Sequence, residues 1–61
     1  MAAPFDIFKL DPDGNAHWVE AAQDLEAAKV RVSSLAQVFP GQYLIVDNAT
    51  GEKLLVKSNV N

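Results

Sequence analysis

Residues 24–41 read DLEAAKVRVSSLAQVFPG, and this stretch decides the fold class because its apolar residues recur at helical spacing. They fall within one narrow face of a helical wheel: Leu25, Ala28, Val32, Leu35, Ala36 and Phe39. Asp24 is the predicted N-cap, since its carboxylate can accept hydrogen bonds from backbone N–H groups that the first turn leaves free. Pro40 and Gly41 are typical of a helix end. The sequence therefore predicts one amphipathic helix that buries this face.

Two predicted hairpins flank the helix. Before it, strand-like runs at 5–10 and 16–21 are joined by turn-forming residues. After it, strand-like runs at 42–47 and 53–57 are joined by a second turn cluster. The order is ββαββ, and the whole chain is one domain, because 61 residues leave no room for a second core.

The four strands are predicted to form one antiparallel sheet with the helix packed on one face, an α+β architecture. The first and third strands are the most apolar, which favours central positions, and the fourth carries lysines, which are common on edge strands. The strand order 2-1-3-4 satisfies both and allows a right-handed crossover through the helix. Other strand orders stay open at this point. In the first turn, Gly14 is expected to have a positive φ angle.

A choice of register assigns each strand residue to a face of the sheet, because side chains that lie opposite each other share a face. We align Leu10 with Ala16, which places Phe8 opposite Trp18, Ile7 opposite Val19 and Asp6 opposite Glu20. We align Asp47 with Lys53, which places Val46 opposite Leu54. The face toward the helix is then predicted to be mostly apolar: Phe5, Ile7, Val19, Ala21, Leu44, Val46, Leu54 and Val56. The opposite face is predicted to mix the charged residues Asp6, Glu20, Asp47, Lys53 and Lys57 with the apolar residues Phe8, Leu10, Trp18, Tyr43, Ile45 and Leu55.

The apolar residues of the opposite face are the candidate functional surface. Small domains rarely rely on their core alone, and they commonly add disulfides, a metal or oligomerisation. The chain has no cysteine and one histidine, which leaves oligomerisation, and its sequence predicts no second helix to cover this face. We therefore predict an interface, either in a homodimer or small homo-oligomer or with another protein. Its residues are Phe8, Leu10, Trp18, Tyr43, Ile45 and Leu55.

No catalytic, cofactor-binding or metal-binding residue is predicted. His17 is the only histidine, and the serines lie in the predicted helix and in the tail, where none is placed as its nucleophile. Residues 11–15 resemble the opening of a calcium loop, but the twelfth position would be Ala22, which cannot ligate. The three glycines are isolated, so they do not form a phosphate-binding loop. We expect no enzyme and no cofactor, and the role of His17 stays open.

The charge balance argues against nucleic acid and membranes as partners. Five Lys and Arg residues against eight Asp and Glu residues give a net charge of −3, which repels phosphate backbones and anionic lipids. No stretch approaches the ~18 apolar residues of a membrane span, and the first residues do not resemble a secretory signal, so we expect a cytoplasmic protein. Two alternatives stay open. One is single-stranded nucleic-acid binding through the aromatic sheet face, and the other is a small accessory enzyme or ligand-binding subunit.

A further pattern of strand, turn, cap and hairpin residues extends over nearly the whole chain. Its segments are Phe5-Asp6-Ile7-Phe8-Lys9-Leu10-Asp11, Gly14, Trp18, Glu20-Ala21-Ala22, Leu25-Glu26-Ala27-Ala28-Lys29, Pro40-Gly41-Gln42-Tyr43 and Thr50-Gly51. In these segments the chain resembles short bacterial ββαββ proteins with no assigned activity. The resemblance implies a shared ββαββ fold, and it implies no catalytic or binding residue.

Overall fold

The computed structural model describes residues 4–57, and within them it has one four-stranded sheet and one helix. The elements in chain order are β1 Phe5–Leu10, β2 Ala16–Ala22, α1 Leu25–Val38, β3 Gln42–Asp47 and β4 Lys53–Lys57. Neighbouring strands are antiparallel throughout, in the order β2-β1-β3-β4. The predicted α+β fold of ββαββ order and the predicted strand order are therefore confirmed.

The turn between β1 and β2 is held by the side chain of Asp11. Its Oδ1 atom accepts hydrogen bonds from the backbone N–H groups of Asp13 at 3.0 Å and Asn15 at 2.8 Å. The N–H group of Gly14 donates to the Asp11 carbonyl at 2.9 Å. Gly14 has a φ angle of +88°, a left-handed conformation in which other residues are strained. The predicted positive φ angle at Gly14 is confirmed.

Helix α1 has a defined cap at each end. The side chain of Asp24 accepts a hydrogen bond at 2.7 Å from the backbone N–H three residues further on, which confirms it as the N-cap. Beyond the last helical residue, Val38, the carbonyl of Phe39 accepts a hydrogen bond from the Tyr43 hydroxyl at 2.5 Å. This bond connects the end of the helix to strand β3.

The core lies between α1 and the face of the sheet that α1 covers. Its buried residues come from the helix and three of the strands: Ile7, Ala22, Ala28, Val32, Tyr43 and Ile45. The helix packs mainly against β1 and β2, where the small side chains of Ala22 and Ala28 allow a close approach. Strand β4 is covered less, and Leu54 remains 40% exposed.

Two residues of the predicted helix face are not buried. Leu25 is 39% exposed and Phe39 is 60% exposed, so the prediction was wrong at these positions, although Val32 is buried and Leu35 is half-buried. Phe39 follows the end of the helix with φ −125° and ψ 82°, so its side chain leaves the helical stripe. Leu25 is the first residue of α1 and lines an open groove together with Phe5 and Leu54.

The register of β3 differs by one residue from the prediction. Ile45 pairs with Ile7 on β1 and with Leu54 on β4, whereas the predicted alignment placed Val46 opposite Leu54. Because successive side chains of a strand point to opposite faces, a slip of one residue exchanges the faces of the whole strand. Tyr43 and Ile45 therefore face the helix.

Strand β2 contains a bulge that the sequence analysis did not predict. The pairing of Phe8 with Trp18 is confirmed, but beyond it Ile7 pairs with Glu20 and not with Val19. Val19 is the additional residue on this strand, and its half-buried side chain packs against the core. Such a bulge changes the face of every residue that follows it.

The bulge separates two carboxylates that were predicted to lie opposite each other. Asp6 pairs with Ala21, whereas Glu20 faces α1 and accepts a hydrogen bond from Arg31 Nε at 2.8 Å. Ala22 is buried under the helix in place of Ala21, which is exposed. The predicted faces of Glu20 and Ala21 were therefore wrong.

Candidate interaction face

Four apolar side chains form a row across the sheet on the face away from α1. From β2 to β4 they are Trp18, Phe8, Leu44 and Leu55, each directly opposite the next. Adjacent strands lie about 4.8 Å apart, so the row is about 14 Å long. We call these four residues the apolar row and the surface that carries them the open face. Within residues 4–57 the single helix lies on the other side of the sheet, and no described element covers the open face.

The apolar row is most accessible at its two ends. Trp18 on β2 is 60% exposed and Leu55 on β4 is 46% exposed, whereas Phe8 and Leu44 on the central strands are half-buried. From a side-chain surface of about 250 Å², Trp18 alone leaves about 150 Å² in contact with water. A continuous exposed apolar surface of this kind is typical of a protein contact site.

Rows that mix polar and apolar residues border the apolar row on both sides. One bordering row consists of Leu10, Gln42 and Lys57, and the other consists of Asp6, Val46 and Lys53. Lys53 pairs with Val46 and not, as predicted, with Asp47. Both lysines lie on the edge strand β4, whereas Asp6 lies on the central strand β1. The open face is therefore basic at one edge and acidic near its middle.

Asp6 fixes the orientation of Trp18. The indole Nε1 donates a hydrogen bond to Asp6 Oδ1 at 3.1 Å, and Asn48 Nδ2 donates to Asp6 Oδ2 at 2.8 Å. The bond from Asn48, and after it the bond from Trp18, hold the pKa of Asp6 below its ordinary value of 3.8. Asp6 therefore keeps its negative charge at neutral pH while it orients the exposed indole.

The structure places four of the six predicted interface residues on the open face: Phe8, Leu10, Trp18 and Leu55. Tyr43 and Ile45 are each 1% exposed and lie in the core, so their assignment to this face was wrong. Leu44 and Val46, which were predicted to face the helix, take their place. Residues 43–46 are hydrophobic without interruption, so the sequence carries no alternation that identifies the buried pair.

His17 is the second residue of β2 and lies next to the first hairpin turn. Its Nε2 atom lies 2.9 Å from Asp11 Oδ2, and its side chain is 66% exposed. This hydrogen bond is the main reason why the pKa of Asp11 lies below 3.8, and the hydrogen bond from the N–H of Asn15 lowers it further. In the part of the chain that the structure describes, no three metal-binding side chains converge.

A shallow groove of about 330 Å³ lies on the helix side, between the start of α1 and strand β4. Its apolar wall includes Phe5, Leu25 and Leu54, and its rim includes the acidic residues Asp47 and Glu52. The groove exists because α1 packs mainly against β1 and β2 and covers β4 less. It is a second apolar surface, separated from the open face by the sheet.

Comparisons of the chain with protein-family models, with curated proteins and with solved structures give no match. None of the helical residues in 4–57 forms a segment long and apolar enough to cross a membrane. The argument for a function therefore rests on the geometry of the open face.

Proposed function

We propose that this protein is a non-catalytic binding module that associates with a second copy of itself through the open face. The observation that carries the proposal is the apolar row, which crosses all four strands and ends in a tryptophan that is 60% exposed. Burial of a Phe- or Leu-sized side chain contributes about 1.5–3 kcal/mol. A second copy supplies an apolar row of the same length, and contact between the two rows removes both from water. We place this module in the cytoplasm on the basis of its sequence.

The dimensions of the open face fit a small dimer interface. Four strands about 4.8 Å apart, with about five residues of about 3.3 Å each, give a flat area of roughly 320 Å² per copy. A dimer buries this area twice, about 640 Å² before the side chains enlarge it, which is the size of a weak, transient interface and not of a stable one. We therefore expect a reversible dimer with a dissociation constant in the micromolar range.

Single-stranded nucleic acid is the second candidate for the same face, because Trp18 and Phe8 are able to stack on bases. Within residues 4–57, Lys53 and Lys57 are the cations that the register places there, and Asp6 lies among them with its charge retained. The net charge of −3 also opposes binding to phosphates. These charges favour a protein partner over a nucleic acid.

Trp18 is the only tryptophan of the chain, so its fluorescence reports on the open face alone. We expect its emission maximum to move to shorter wavelength as protein concentration rises, over the range in which sedimentation equilibrium detects a dimer. Leu55→Asp places a carboxylate at the β4 end of the apolar row and should abolish both changes. Val30→Asp is the matched control, because Val30 is 62% exposed on α1, away from the open face. This variant should dimerise like the wild type.

A wild-type chain that stays monomeric at high micromolar concentration contradicts the proposal. An equal loss of association in Leu55→Asp and Val30→Asp also contradicts it, because the contact would then not depend on the open face. If the emission of Trp18 responds to a single-stranded oligonucleotide and not to protein concentration, nucleic-acid binding replaces self-association as the function of this face.

A further inference from the structure

We infer that the two copies of the proposed dimer are related by a two-fold axis that runs parallel to the strands, between β1 and β3. The inference rests on the proposed function, because it describes how one open face meets the other. In this arrangement β4 of one copy lies over β2 of the second copy, and β1 lies over β3. The charges that border the apolar row select this arrangement among the symmetric alternatives.

The charges of the open face are distributed asymmetrically. Lys53 and Lys57 lie at the two ends of β4, one on each side of the apolar row. Asp6 lies in the same bordering row as Lys53, two strands away. At the opposite edge of the sheet, β2 presents the small residues Ala16 and Ala21 on this face. A symmetric contact must bring each lysine against some part of the second copy.

A two-fold axis in the plane between two open faces has four simple directions: along the strands, along the apolar row, or along either diagonal of the face. Three of these four packings bring like charges together. Packed sheets are either aligned or orthogonal. If the axis runs along the apolar row, β4 lies over β4 of the second copy in the reverse direction, and Lys53 meets Lys57 of the second copy. If the axis runs along a diagonal of the face, as in orthogonal packing, either Lys53 or Lys57 meets its own equivalent. Like charges held together in an interface oppose association.

The strand-parallel axis avoids this repulsion. Lys53 then lies above Ala21 of the second copy, and Asp6 of the second copy is one strand away, a lateral distance of about 4.8 Å. Lys57 lies above Ala16 of the second copy, where the small side chain leaves room for the lysine stem. Each lysine is thus kept away from the lysines of the second copy, and Lys53 gains a carboxylate neighbour.

The same axis also places the apolar row of one copy directly over the apolar row of the second copy. Trp18 of one copy covers Leu55 of the second copy, and these are the two most exposed members of the row. Phe8 covers Leu44 in the same way. Each aromatic side chain therefore meets an aliphatic one, and each of these contacts occurs twice in the dimer.

Charge reversal at Lys53 distinguishes the packings. With the strand-parallel axis, Lys53→Glu brings a carboxylate beside Asp6 of the second copy, and we expect the dimer dissociation constant to rise about tenfold at low salt. With the axis along the apolar row, the new carboxylate would face Lys57 of the second copy and would tighten the dimer. Lys29→Glu, on the exposed side of α1, makes the same change in net charge and should have little effect.

Disulfide trapping gives a second measurement, because the natural chain contains no cysteine. Chains with Trp18→Cys mixed with chains with Leu55→Cys should form a disulfide between the two variants. Leu55→Cys chains alone should not cross-link efficiently, since the strand-parallel axis keeps the two positions about 14 Å apart and a disulfide needs Cβ atoms within about 4.5 Å. Val30→Cys reports the background rate of collision.

A tighter Lys53→Glu dimer, or efficient cross-linking of Leu55→Cys with itself, overturns the strand-parallel axis while self-association through the open face still stands. An absence of any dimer of the wild-type chain in the same sedimentation runs overturns the proposed function, and the inference fails with it. Weakening by Lys53→Glu together with the mixed disulfide supports the inference.

Discussion

Two neighbouring residues of β3, Leu44 and Ile45, should respond in opposite ways to truncation. Both are aliphatic, and both lose three carbon atoms when they are replaced by alanine. Ile45 is 1% exposed, pairs with Ile7 and lies in the core, whereas Leu44 is half-buried on the open face. We predict that Ile45→Ala mainly reduces folding stability and that Leu44→Ala mainly weakens self-association.

The magnitudes follow from burial. Three buried carbon atoms at about 0.8 kcal/mol each, with a further cost for the cavity, give a loss of about 2–5 kcal/mol for Ile45→Ala. Leu44→Ala removes a half-buried side chain, so we expect a loss of about 1 kcal/mol from the free energy of unfolding. A domain of 61 residues has a total stability of about 3–9 kcal/mol, so Ile45→Ala removes a large part of it. Ile45→Val, with an expected loss of about 0.5–1.5 kcal/mol, gives a second point that stays folded.

The assay is urea unfolding followed by circular dichroism at low protein concentration, where association contributes little to stability. Sedimentation equilibrium at high concentration then compares Leu44→Ala with Ile45→Val. The order of stability should be wild type, Leu44→Ala, Ile45→Ala, and only Leu44→Ala should weaken the dimer. If Leu44→Ala is as destabilising as Ile45→Ala, or if Ile45→Val weakens the dimer more, then β3 has the other register and the argument for the apolar row fails.

Two further predictions concern the first turn. Gly14→Val should lower the free energy of unfolding by about 1–2 kcal/mol because φ is +88° there, although an added Cβ meets no atom within 4 Å. Asn15→Ala keeps the backbone N–H that donates to Asp11, so it should reduce the free energy of unfolding by less than Gly14→Val. Equal shifts of the urea midpoint in the two variants would argue against a left-handed conformation at Gly14. The contact with His17 and the N–H of Asn15 hold the pKa of Asp11 in the folded protein below 3.8. The ionised carboxylate therefore contributes its full stabilisation above pH 3.8, and this contribution is lost as the pH falls through the lowered pKa. The melting temperature of Asp11→Asn should therefore fall less steeply below pH 3.8 than that of the wild type, and identical slopes would contradict the role of Asp11.

Local sequence features were enough to predict the elements and their order. Asp24 caps the helix because its carboxylate reaches a free N–H within the same turn, and Gly14 closes the first hairpin because only glycine takes that φ angle without strain. Apolar spacing located the helix, and the alignment of Leu10 with Ala16 across the first turn placed Phe8 opposite Trp18. Each of these features acts over a few residues, so the sequence contains the information directly.

The assignment of residues to faces required tertiary structure in β3 and in the part of β2 beyond the bulge. All four residues of the run 43–46 are hydrophobic, so the sequence pattern is compatible with either face of β3 lying toward the helix. Contacts with residues distant in sequence determine which face is buried. Ile45 meets Ile7 under the helix, and the Tyr43 hydroxyl binds the Phe39 carbonyl at the helix end. Two of the six predicted interface residues were therefore wrong, and the two that replace them were not identifiable from the strand alone.

The bulge in β2 has the same kind of origin. Val19 adds one residue to the strand, so that Glu20 reaches Arg31 on the helix and Ala22 enters the core. The amino-acid sequence by itself determined where the chain forms strands, turns and a helix, because backbone propensity and capping are local. The tertiary structure alone decided which side is buried in β3 and in β2 beyond its bulge, because that choice depends on the joint packing of the helix and the sheet. It thereby also decided that Leu44, and not Ile45, lies in the apolar row.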